Sequence, residues 1–256
     1  MVVANQKGGV GKTTTSVNIA VGLAQGGLKV LVVDLDPQGN ASTALGVSHS
    51  AGTRGTYEAV ISGVPIADMV VGSPENSSIG VLPATVDLAA AELQLSAMPG
   101  RERRLARALQ EFLATTYVDY VIIDCPPSLG LLTVNAFVAA QEVLLPIQCE
   151  YYALEGVSQL LNSIGLVQAN LNPYLKITTV LLTMFDARTR LSTQVADEVR
   201  AHFPQQTLTT VVPRSVRVSE APSYGQSVLT YEPRSVGANT YRSAAAEIAI
   251  RGANIA

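Results

Sequence analysis

Cysteine, tryptophan and charged residues are scarce in this chain of 256 residues. It has two cysteines, no tryptophan and 14% charged residues, against 48% hydrophobic residues. Two cysteines offer no disulfide framework, and no apolar run approaches the ~20 residues that a membrane-spanning helix needs. No basic segment followed by a hydrophobic one indicates a signal peptide. We therefore expect a globular, cytoplasmic protein with a full hydrophobic core.

The net charge of −3 argues against a nucleic-acid-binding protein when it is averaged over the whole chain, but the charge is unevenly distributed. Residues 1–186 hold 9 Lys and Arg against 15 Asp and Glu. Residues 187–256 hold 8 Arg against 5 Asp and Glu, a balance of +3. The C-terminal quarter is therefore a candidate electropositive face. An ordinary solvated surface explains the same count equally well.

A glycine-rich stretch near the N-terminus organises the chain. Residues 5–15 read Asn-Gln-Lys-Gly-Gly-Val-Gly-Lys-Thr-Thr-Thr, between a short apolar lead and an amphipathic run at 17–23. This order of strand, loop and helix is typical of a phosphate-binding loop. Lys12 would reach the β- and γ-phosphates of a nucleotide, and the Thr13 hydroxyl would bind Mg²⁺. The predicted nucleotide-binding residues of the loop are Lys7, Gly8, Gly9, Val10, Gly11, Lys12, Thr13 and Thr14.

Two later apolar runs end in aspartate. The first, residues 29–36, ends in Asp34 and Asp36, and the second, residues 117–124, ends in Asp124. Ligands bind beyond the carboxyl ends of strands in parallel sheets, so these carboxylates are expected beside the glycine loop. Asp124 would hold the Mg²⁺ shell together with Thr13, and Asp34 would support the same shell.

Predicted strands and helices alternate along the whole chain, with no repeat, linker or low-complexity tract. This indicates an α/β fold, a single doubly wound, mostly parallel β-sheet flanked by helices, in one domain spanning residues 1–256. Residues 219–227 are predicted to be irregular. A cluster of arginines at the start of the helix predicted over 102–113 is interpreted as a solvated helix face. Its members are Arg101, Arg103, Arg104 and Arg107.

The glycine loop departs from the usual P-loop pattern at Gln6, where a glycine is expected, and it carries a second lysine, Lys7. In both respects it resembles the deviant Walker A motif of the ParA/MinD family of P-loop ATPases. In that family the extra lysine reaches across a dimer interface to the partner's nucleotide. Residues 34–40 look like the second signature of the ParA group, in which the later aspartate, here Asp36, orients the attacking water. The catalytic residues implied by the resemblance are Lys7, Lys12 and Asp36.

The resemblance extends over nearly the whole chain, through residues 146–156, 182–189 and 212–225, and is strongest to the chromosomal, Soj-type ParA proteins. It implies slow ATP hydrolysis with Mg²⁺ and an ATP-closed homodimer that binds double-stranded DNA without sequence preference. It also implies a ParB-type partner that stimulates hydrolysis, and a nucleoid-associated location without a membrane.

The resemblance also implies roles for residues outside the phosphate loops. Arg188 and Arg217 match DNA-binding arginines of the family. A surface residue at a helix start is the alternative account of Arg188, and an ion pair with Glu220 is the alternative account of Arg217. The other residues implied are Arg214 and Arg242 for DNA, and Met184 and Pro213 for the adenine pocket.

Four other classes of protein are alternatives to this interpretation. A MinD-like membrane-cycling ATPase needs a basic amphipathic C-terminal helix with bulky apolar residues, whereas residues 244–256 hold one arginine and no aromatic residue. An iron–sulfur protein would use Cys125 and Cys149, but both follow apolar strands in contexts that suit small buried residues. No Asn-Lys-x-Asp signature indicates a GTPase. A metabolic synthetase of the same fold stays open, although no acceptor site is apparent.

Overall fold

Eight strands form one sheet in the part of the chain that the computed structural model describes, residues 1–50, 52–151, 153 and 155–253. The spatial order is β3-β4-β2-β5-β1-β6-β7-β8, and every neighbouring pair is parallel except the edge pair of β3 and β4. The predicted doubly wound, mostly parallel sheet is therefore confirmed. The strands are Val2–Val3 (β1), Val30–Asp34 (β2), Val71–Gly72 (β3), Ile79–Leu82 (β4), Tyr120–Asp124 (β5), Glu142–Gln148 (β6), Lys176–Phe185 (β7) and Thr207–Pro213 (β8).

Helices connect the parallel strands and cover both faces of the sheet. The α-helices are Lys12–Gln25 (α1), Asn40–Ala44 (α2), Ala91–Ser96 (α3), Arg104–Leu113 (α4), Leu131–Ala139 (α5), Glu155–Asn170 (α6), Arg190–His202 (α7), Val216–Glu220 (α8), Val228–Tyr231 (α9) and Val236–Ala253 (α10). Shorter helical turns lie at Glu58–Ser62, Ile66–Asp68, Val86–Ala90 and Ala221–Tyr224.

The two sides of the sheet carry separate hydrophobic cores. On β2, Val30 and Val32 face the core formed with α1 and α10, whereas Leu31 and Val33 face the core formed with α4, α5 and α6. All four side chains are at most 1% exposed. Successive strand residues point to opposite faces, so a strand covered on both faces has to be apolar throughout. This explains the unbroken apolar runs in the sequence.

The shortest central strand, β1, still pairs on both sides. Val2 lies opposite Ile123 of β5 and Val143 of β6. Its central position puts the glycine loop that follows at the edge where β5 and β6 also end. In doubly wound sheets this edge is where ligands bind.

The prediction that residues 219–227 are irregular is wrong for residues 219–224, whereas residues 225–227 form a turn and irregular chain as predicted. Glu220 ends α8, and Ala221–Tyr224 forms a 3₁₀ turn directly after it. Pro222 lies in the first positions of that turn, where a missing backbone N–H costs no helical hydrogen bond. The proline therefore marks a new helical turn here instead of a loop.

The arginine cluster before α4 is a solvated face only in part. Three of its guanidinium groups donate to backbone carbonyls: Arg101 to Ser96, Arg103 to Leu171 and Arg104 to Ile61, at 2.8–2.9 Å. These bonds supply donors to segments whose terminal carbonyls lack helical partners. The fourth, Arg107, is exposed and pairs with Glu111.

The contact between α1 and α10 leaves no room for a side chain at Gly22. A Cβ atom added there would stand 2.6 Å from the Cβ of Ala245. We expect Gly22→Ala to separate the two helices and to lower the free energy of unfolding by roughly 1–3 kcal/mol. Chemical denaturation of the variant and of the unmodified protein measures this difference in the free energy of unfolding.

The matched control is Gly165→Ala in α6, where an added Cβ meets nothing within 4 Å. That change replaces a helical glycine in open space and is expected to raise the free energy of unfolding by about 0.5–1 kcal/mol. Equal effects of the two substitutions would contradict the close approach of α1 and α10.

Candidate functional site

The glycine loop turns directly into α1. Gly11 has φ 88°, a left-handed conformation that side-chain-bearing residues rarely adopt, and α1 begins at the next residue, Lys12. No side chain caps the first turn of this helix. Its first backbone N–H groups are therefore available to an anion, and the helix dipole favours negative charge at the same place.

Neighbouring strands hold the loop in place. The Asn5 side chain donates to the Pro146 carbonyl at 2.8 Å and accepts from the Lys7 backbone N–H at 3.0 Å. The Thr183 hydroxyl donates to the Val10 carbonyl at 2.9 Å. Because these partners belong to β6 and β7, the loop is positioned by the sheet and not only by its own glycines.

The two loop lysines differ in surroundings. The Lys12 side chain folds back over the loop, and its ammonium donates to the Lys7 carbonyl at 3.2 Å. Lys12 is only 8% exposed. Burial lowers the pKa of Lys12, and the charge of Asp124 opposes this shift. Lys7 is half-buried, and among the side chains that the structure describes, which do not include Glu155 beside it, its ammonium makes no hydrogen bond. Lys12 thus points into its own loop, whereas the Lys7 ammonium is available to an external group.

Asp124 lies at the end of β5 and is tied to α1 by two hydroxyls. Thr13 Oγ1 donates to one carboxylate oxygen and Ser16 Oγ to the other, each at 2.7 Å. Burial raises the pKa of Asp124 to about 7, helped by the nearby charge of Asp34. A cation bound here would oppose that shift, and a hydroxyl with a carboxylate is the oxygen chemistry that Mg²⁺ prefers. The predicted pair of Thr13 and Asp124 is therefore together in space.

No group of three or more His, Cys, Asp or Glu side chains suited to a metal occurs among the residues that the structure describes.

Asp34 is the register partner of Asp124 on the neighbouring strand, but its carboxylate is already engaged. It accepts from the Ser42 backbone N–H at 2.8 Å, from the Ser42 hydroxyl at 2.7 Å and from the Asp36 backbone N–H at 3.2 Å. Burial raises the pKa of Asp34 to about 6. Its place in a metal shell stays a prediction, and its observed contacts shape the start of α2.

Asp36 borders the cavity above the loop. One of its carboxylate oxygens accepts from the Gln38 backbone N–H at 3.0 Å, which fixes the turn after β2. The cavity measures ≈ 540 Å³. It is lined by Gly8, Gly9, Gly11, Lys12, Thr13, Thr14, Asp36, Gln38, Asn40, Pro127 and Met184.

A second cavity of ≈ 500 Å³ shares Met184 with the first. Met184 has φ 52°, the one positive value among the non-glycine residues described, and such conformations concentrate at functional sites. Pro213 ends β8 opposite Phe185 and lines neither cavity. The adenine-pocket role of both residues stays a prediction.

The four arginines predicted for DNA are all engaged within the chain. Arg188 pairs with Asp186 at 2.8 Å, Arg217 with Glu220 at 3.1 Å, and Arg214 with Glu150. The ion pair that was the alternative account of Arg217 is therefore present.

Arg242 differs from the other three because its partners are uncharged. It donates to the side chains of Gln25 and Asn239 and to the carbonyls of Leu229 and Pro233. Its guanidinium therefore anchors α10 to neighbouring segments.

Four residues of the site were not singled out by the sequence. Ser16 shares a helical face with Thr13, three residues earlier, and this spacing was the available signal. Gln38 and Asn40 belong to the turn after Asp36, and Pro127 belongs to the turn after Asp124. The neighbouring aspartates were predicted as site residues because they are charged, whereas these side chains are neutral and gave no such signal.

Comparisons with known proteins decide the family. A family profile described as an AAA domain matches residues 1–177. The sporulation initiation inhibitor protein Soj of Bacillus subtilis is 50% identical over 98% of both chains. The chromosome partitioning protein ParA of Myxococcus xanthus is 49% identical over 96% of this chain and 86% of its own. The chain belongs to the Soj/ParA family of chromosome-partitioning ATPases.

A solved structure also resembles this Soj/ParA-family chain. It is described as cobyrinic acid a,c-diamide synthase from Mycobacterium smegmatis with bound ADP and magnesium. It has a TM-score of 0.82 and 39% sequence identity, and the match covers 96% of this chain and 91% of that one.

Other features bear on the alternatives. Cys125 and Cys149 are buried, and burial raises the pKa of both thiols, that of Cys149 to about 11. Thiolates bind iron–sulfur clusters, so these surroundings disfavour that role. No described helix has the length and apolar character needed to cross a membrane. Residues 254–256, part of the tail weighed against a MinD-like anchor, lie outside the described residues.

The Ser16 contact generates a stability prediction. Ser16→Ala removes a hydroxyl donor from the buried Asp124 carboxylate, and we expect the free energy of unfolding at neutral pH to fall by roughly 1–3 kcal/mol. Ser163→Ala is the control, because Ser163 Oγ, like Ser16 Oγ, lies 3.1 Å from the carbonyl oxygen four residues earlier, but it has no carboxylate partner among the described side chains. Similar losses in both variants, measured by urea unfolding, would show that the Asp124 contact contributes nothing.

Proposed function

We propose that this chain is an ATP-dependent chromosome-partitioning ATPase. In this proposal ATP with Mg²⁺ closes a homodimer, the dimer binds double-stranded DNA without sequence preference, and hydrolysis stimulated by a ParB-type protein releases it. The observation that carries the proposal is the Thr13–Asp124 hydrogen bond beneath the uncapped start of α1, beside Lys12. The names of the relatives and the ADP and magnesium of the M. smegmatis structure support it. Its expected location is the nucleoid within the cytoplasm.

The loop residues supply the phosphate chemistry. Backbone N–H groups of the loop and of the first turn of α1 bind phosphate oxygens, and Lys12 adds the cation that faces the β- and γ-phosphates. Thr13 and the shell around Asp124 would hold Mg²⁺, which would supply positive charge to the phosphates. Asp124 accepts the Thr13 hydroxyl and thereby fixes its orientation.

Asp36 is the residue that orients water in this proposal. It borders the cavity, and the Gln38 N–H already fixes one of its carboxylate oxygens. The carboxylate can accept a hydrogen bond from a water and direct it toward the γ-phosphorus. No other carboxylate lines the cavity among the residues described.

Lys7 supplies charge to a second subunit. Its ammonium makes no hydrogen bond to the side chains that the structure describes, whereas Lys12 donates to a carbonyl of its own loop. A cation on the partner's γ-phosphate stabilises the negative charge that develops during transfer. ATP binding and dimer closure are therefore coupled through this lysine.

DNA binding is assigned to exposed arginines of the C-terminal quarter. The Arg188 and Arg217 side chains are 87% and 56% exposed. Binding without sequence preference needs only cations facing phosphates, and affinity then falls steeply with salt. Arg214 and Arg242 are secondary candidates for the same contact.

The central experiment compares DNA binding with ATP, with ADP and without nucleotide. We expect affinity for unrelated sequences to be equal, and binding to require ATP. Equal DNA binding in all three states would contradict the proposed ATP-dependent partition cycle. ATP-dependent co-sedimentation with liposomes would favour the MinD-like alternative instead.

The two lysines are expected to fail at different steps. Lys12→Ala should abolish ATP binding in calorimetry, because the phosphates lose the cation of their own loop. Lys7→Ala should bind ATP but lose ATP-dependent dimerisation on a sizing column. Lys29 is an exposed lysine after α1, and Lys29→Ala is the control. It should keep both ATP binding and ATP-dependent dimerisation. A Lys7→Ala protein that dimerises normally would contradict the role in trans.

Asp36→Ala is expected to separate binding from hydrolysis. It should bind ATP and Mg²⁺, dimerise and hold DNA, while single-turnover hydrolysis with DNA and the ParB-type partner falls by about 100-fold or more. Asp34→Ala should instead weaken Mg²⁺-dependent nucleotide binding. Hydrolysis by Asp36→Ala at the unmodified rate would remove this residue from the mechanism.

Arginine reversals test the DNA face. Arg188→Glu and Arg217→Glu should each weaken DNA binding equally for all sequences and lower the salt slope by about one. Dimerisation with ATP should persist. Unchanged DNA affinity in both variants would place the DNA-binding face elsewhere.

A further inference from the structure

The guanidinium of Arg188 is held by a carboxylate two residues earlier. Arg188 Nε donates to one oxygen of Asp186 at 2.9 Å and Nη2 donates to the other at 2.8 Å. These two parallel N–H groups form the fork that recognises a carboxylate or a phosphate. The group proposed to contact DNA therefore already has an anion in the position that a phosphate oxygen pair would take.

We propose that Asp186 competes with DNA phosphate for Arg188, and that nucleotide binding relieves this competition through Met184. This inference rests on the proposed DNA-binding function and adds a mechanism by which the nucleotide controls it. Asp186 acts here through Arg188 and is a positioning residue, not a contact for DNA.

The Asp186 carboxylate is charged under all physiological conditions. Hydrogen bonds from the side chain and the backbone N–H of Arg188 lower the pKa of Asp186 to about 2. The Arg188 side chain is 87% exposed and that of Asp186 is 21% exposed, so water reaches the guanidinium and the strength of the pair is modest. A modest, reversible contact suits competition, because a phosphate of DNA can displace it once the carboxylate moves.

The same aspartate also shapes the loop before α7. Its Oδ1 accepts the Arg188 backbone N–H at 3.0 Å, and its carbonyl accepts the Thr189 backbone N–H at 3.1 Å. An asparagine keeps an oxygen acceptor at this position but loses the negative charge. Asp186→Asn therefore preserves the turn and weakens only the charge-assisted contact.

Met184 links this loop to the phosphate cavity. Its side-chain methyl group lies 4.0 Å from the point where a Cβ of Gly11 would stand, and it lines both cavities. Asp186, two residues later, lines the second cavity. A nucleotide seated over Gly11 therefore meets Met184, whose positive φ is a conformation that a small shift can release.

The pair of Arg217 and Glu220 lacks this link. It joins positions i and i+3 around α8 through one contact of 3.1 Å, and neither residue lines either cavity. Of these two ion pairs, only the pair of Asp186 and Arg188 has a member that lines a cavity. It is therefore the pair that we expect a bound nucleotide to weaken.

The test measures DNA affinity against salt for Asp186→Asn, without nucleotide, with ADP and with ATP. Without nucleotide we expect affinity to rise by about three- to fivefold, and the salt slope to steepen by about one. With ATP the variant should match the unmodified protein. Glu198→Gln on α7 is the control, because it removes the same charge from an exposed position that no ion pair engages.

A double variant separates competition from simple charge. In an Arg188→Ala background, Asp186→Asn should change DNA affinity no more than Glu198→Gln does. A gain that persists without Arg188, that equals the gain of the control, or that is the same in all three nucleotide states overturns the proposal.

A second readout needs neither DNA nor a variant. In ¹⁵N NMR of the unmodified protein, the Arg188 Nε–H signal should be protected from solvent exchange without nucleotide and lose protection with ATP. If protection is unchanged by ATP, the competition proposal fails even where DNA binding requires ATP. If protection is lost but DNA does not bind, the proposed DNA-binding function fails instead.

Discussion

A buried carboxylate at the end of β5 is the constraint on which the site depends. Asp124 is fully buried, and a charge in such a place is costly unless it is bonded. Its two oxygens accept hydrogen bonds from the hydroxyls of Thr13 and Ser16 on α1. The bonds that stabilise the buried carboxylate therefore also fix the position of α1. The glycine loop between β1 and α1 is then held at both ends. The group that would serve the metal shell therefore also sets the geometry of the phosphate cradle.

Packing in the two hydrophobic cores fixes the positions of the helices and strands around the loop. Helix α1 packs against α10 without a side chain at Gly22, and it covers strands that are apolar on both faces. Strands β6 and β7 hold the loop through Pro146 and Thr183. Such contacts allow little displacement of one element without the next, because close-packed interiors are not continuously deformable. Movement is then expected where packing is loose or the backbone is strained, and Met184 is the clearest such residue described.

The sequence predicted what local patterns determine. The order of glycine loop, Asp34 and Asp36, and Asp124 predicted the parallel sheet and the meeting of Thr13 with Asp124, because strand ends of a parallel sheet share an edge. It could not predict Ser16, whose role depends on how α1 rotates against β5. Nor could it show that Arg101, Arg103 and Arg104 bind carbonyls, since those partners lie on segments distant in sequence. Residues 219–224 were wrongly predicted to be irregular because Pro222 suggested a loop, although a proline is also accepted in the first positions of a helical turn.

The ion pairs change the meaning of the charge count. The balance of +3 over residues 187–256 suggests a positive face, yet five of the eight arginines there form ion pairs within the part of the chain that the structure describes: Arg188, Arg200, Arg214, Arg217 and Arg251. A paired arginine offers little net attraction to a phosphate until its carboxylate moves away. One copy of the chain would therefore attract DNA weakly, and two copies side by side would double the number of cations along the duplex. Because the electrostatic contribution of phosphate contacts grows with their number, a switch from one copy to two would strengthen this attraction, in addition to the proposed release of Arg188 from Asp186. The requirement for ATP would then follow from geometry, without any new contact to the bases of DNA.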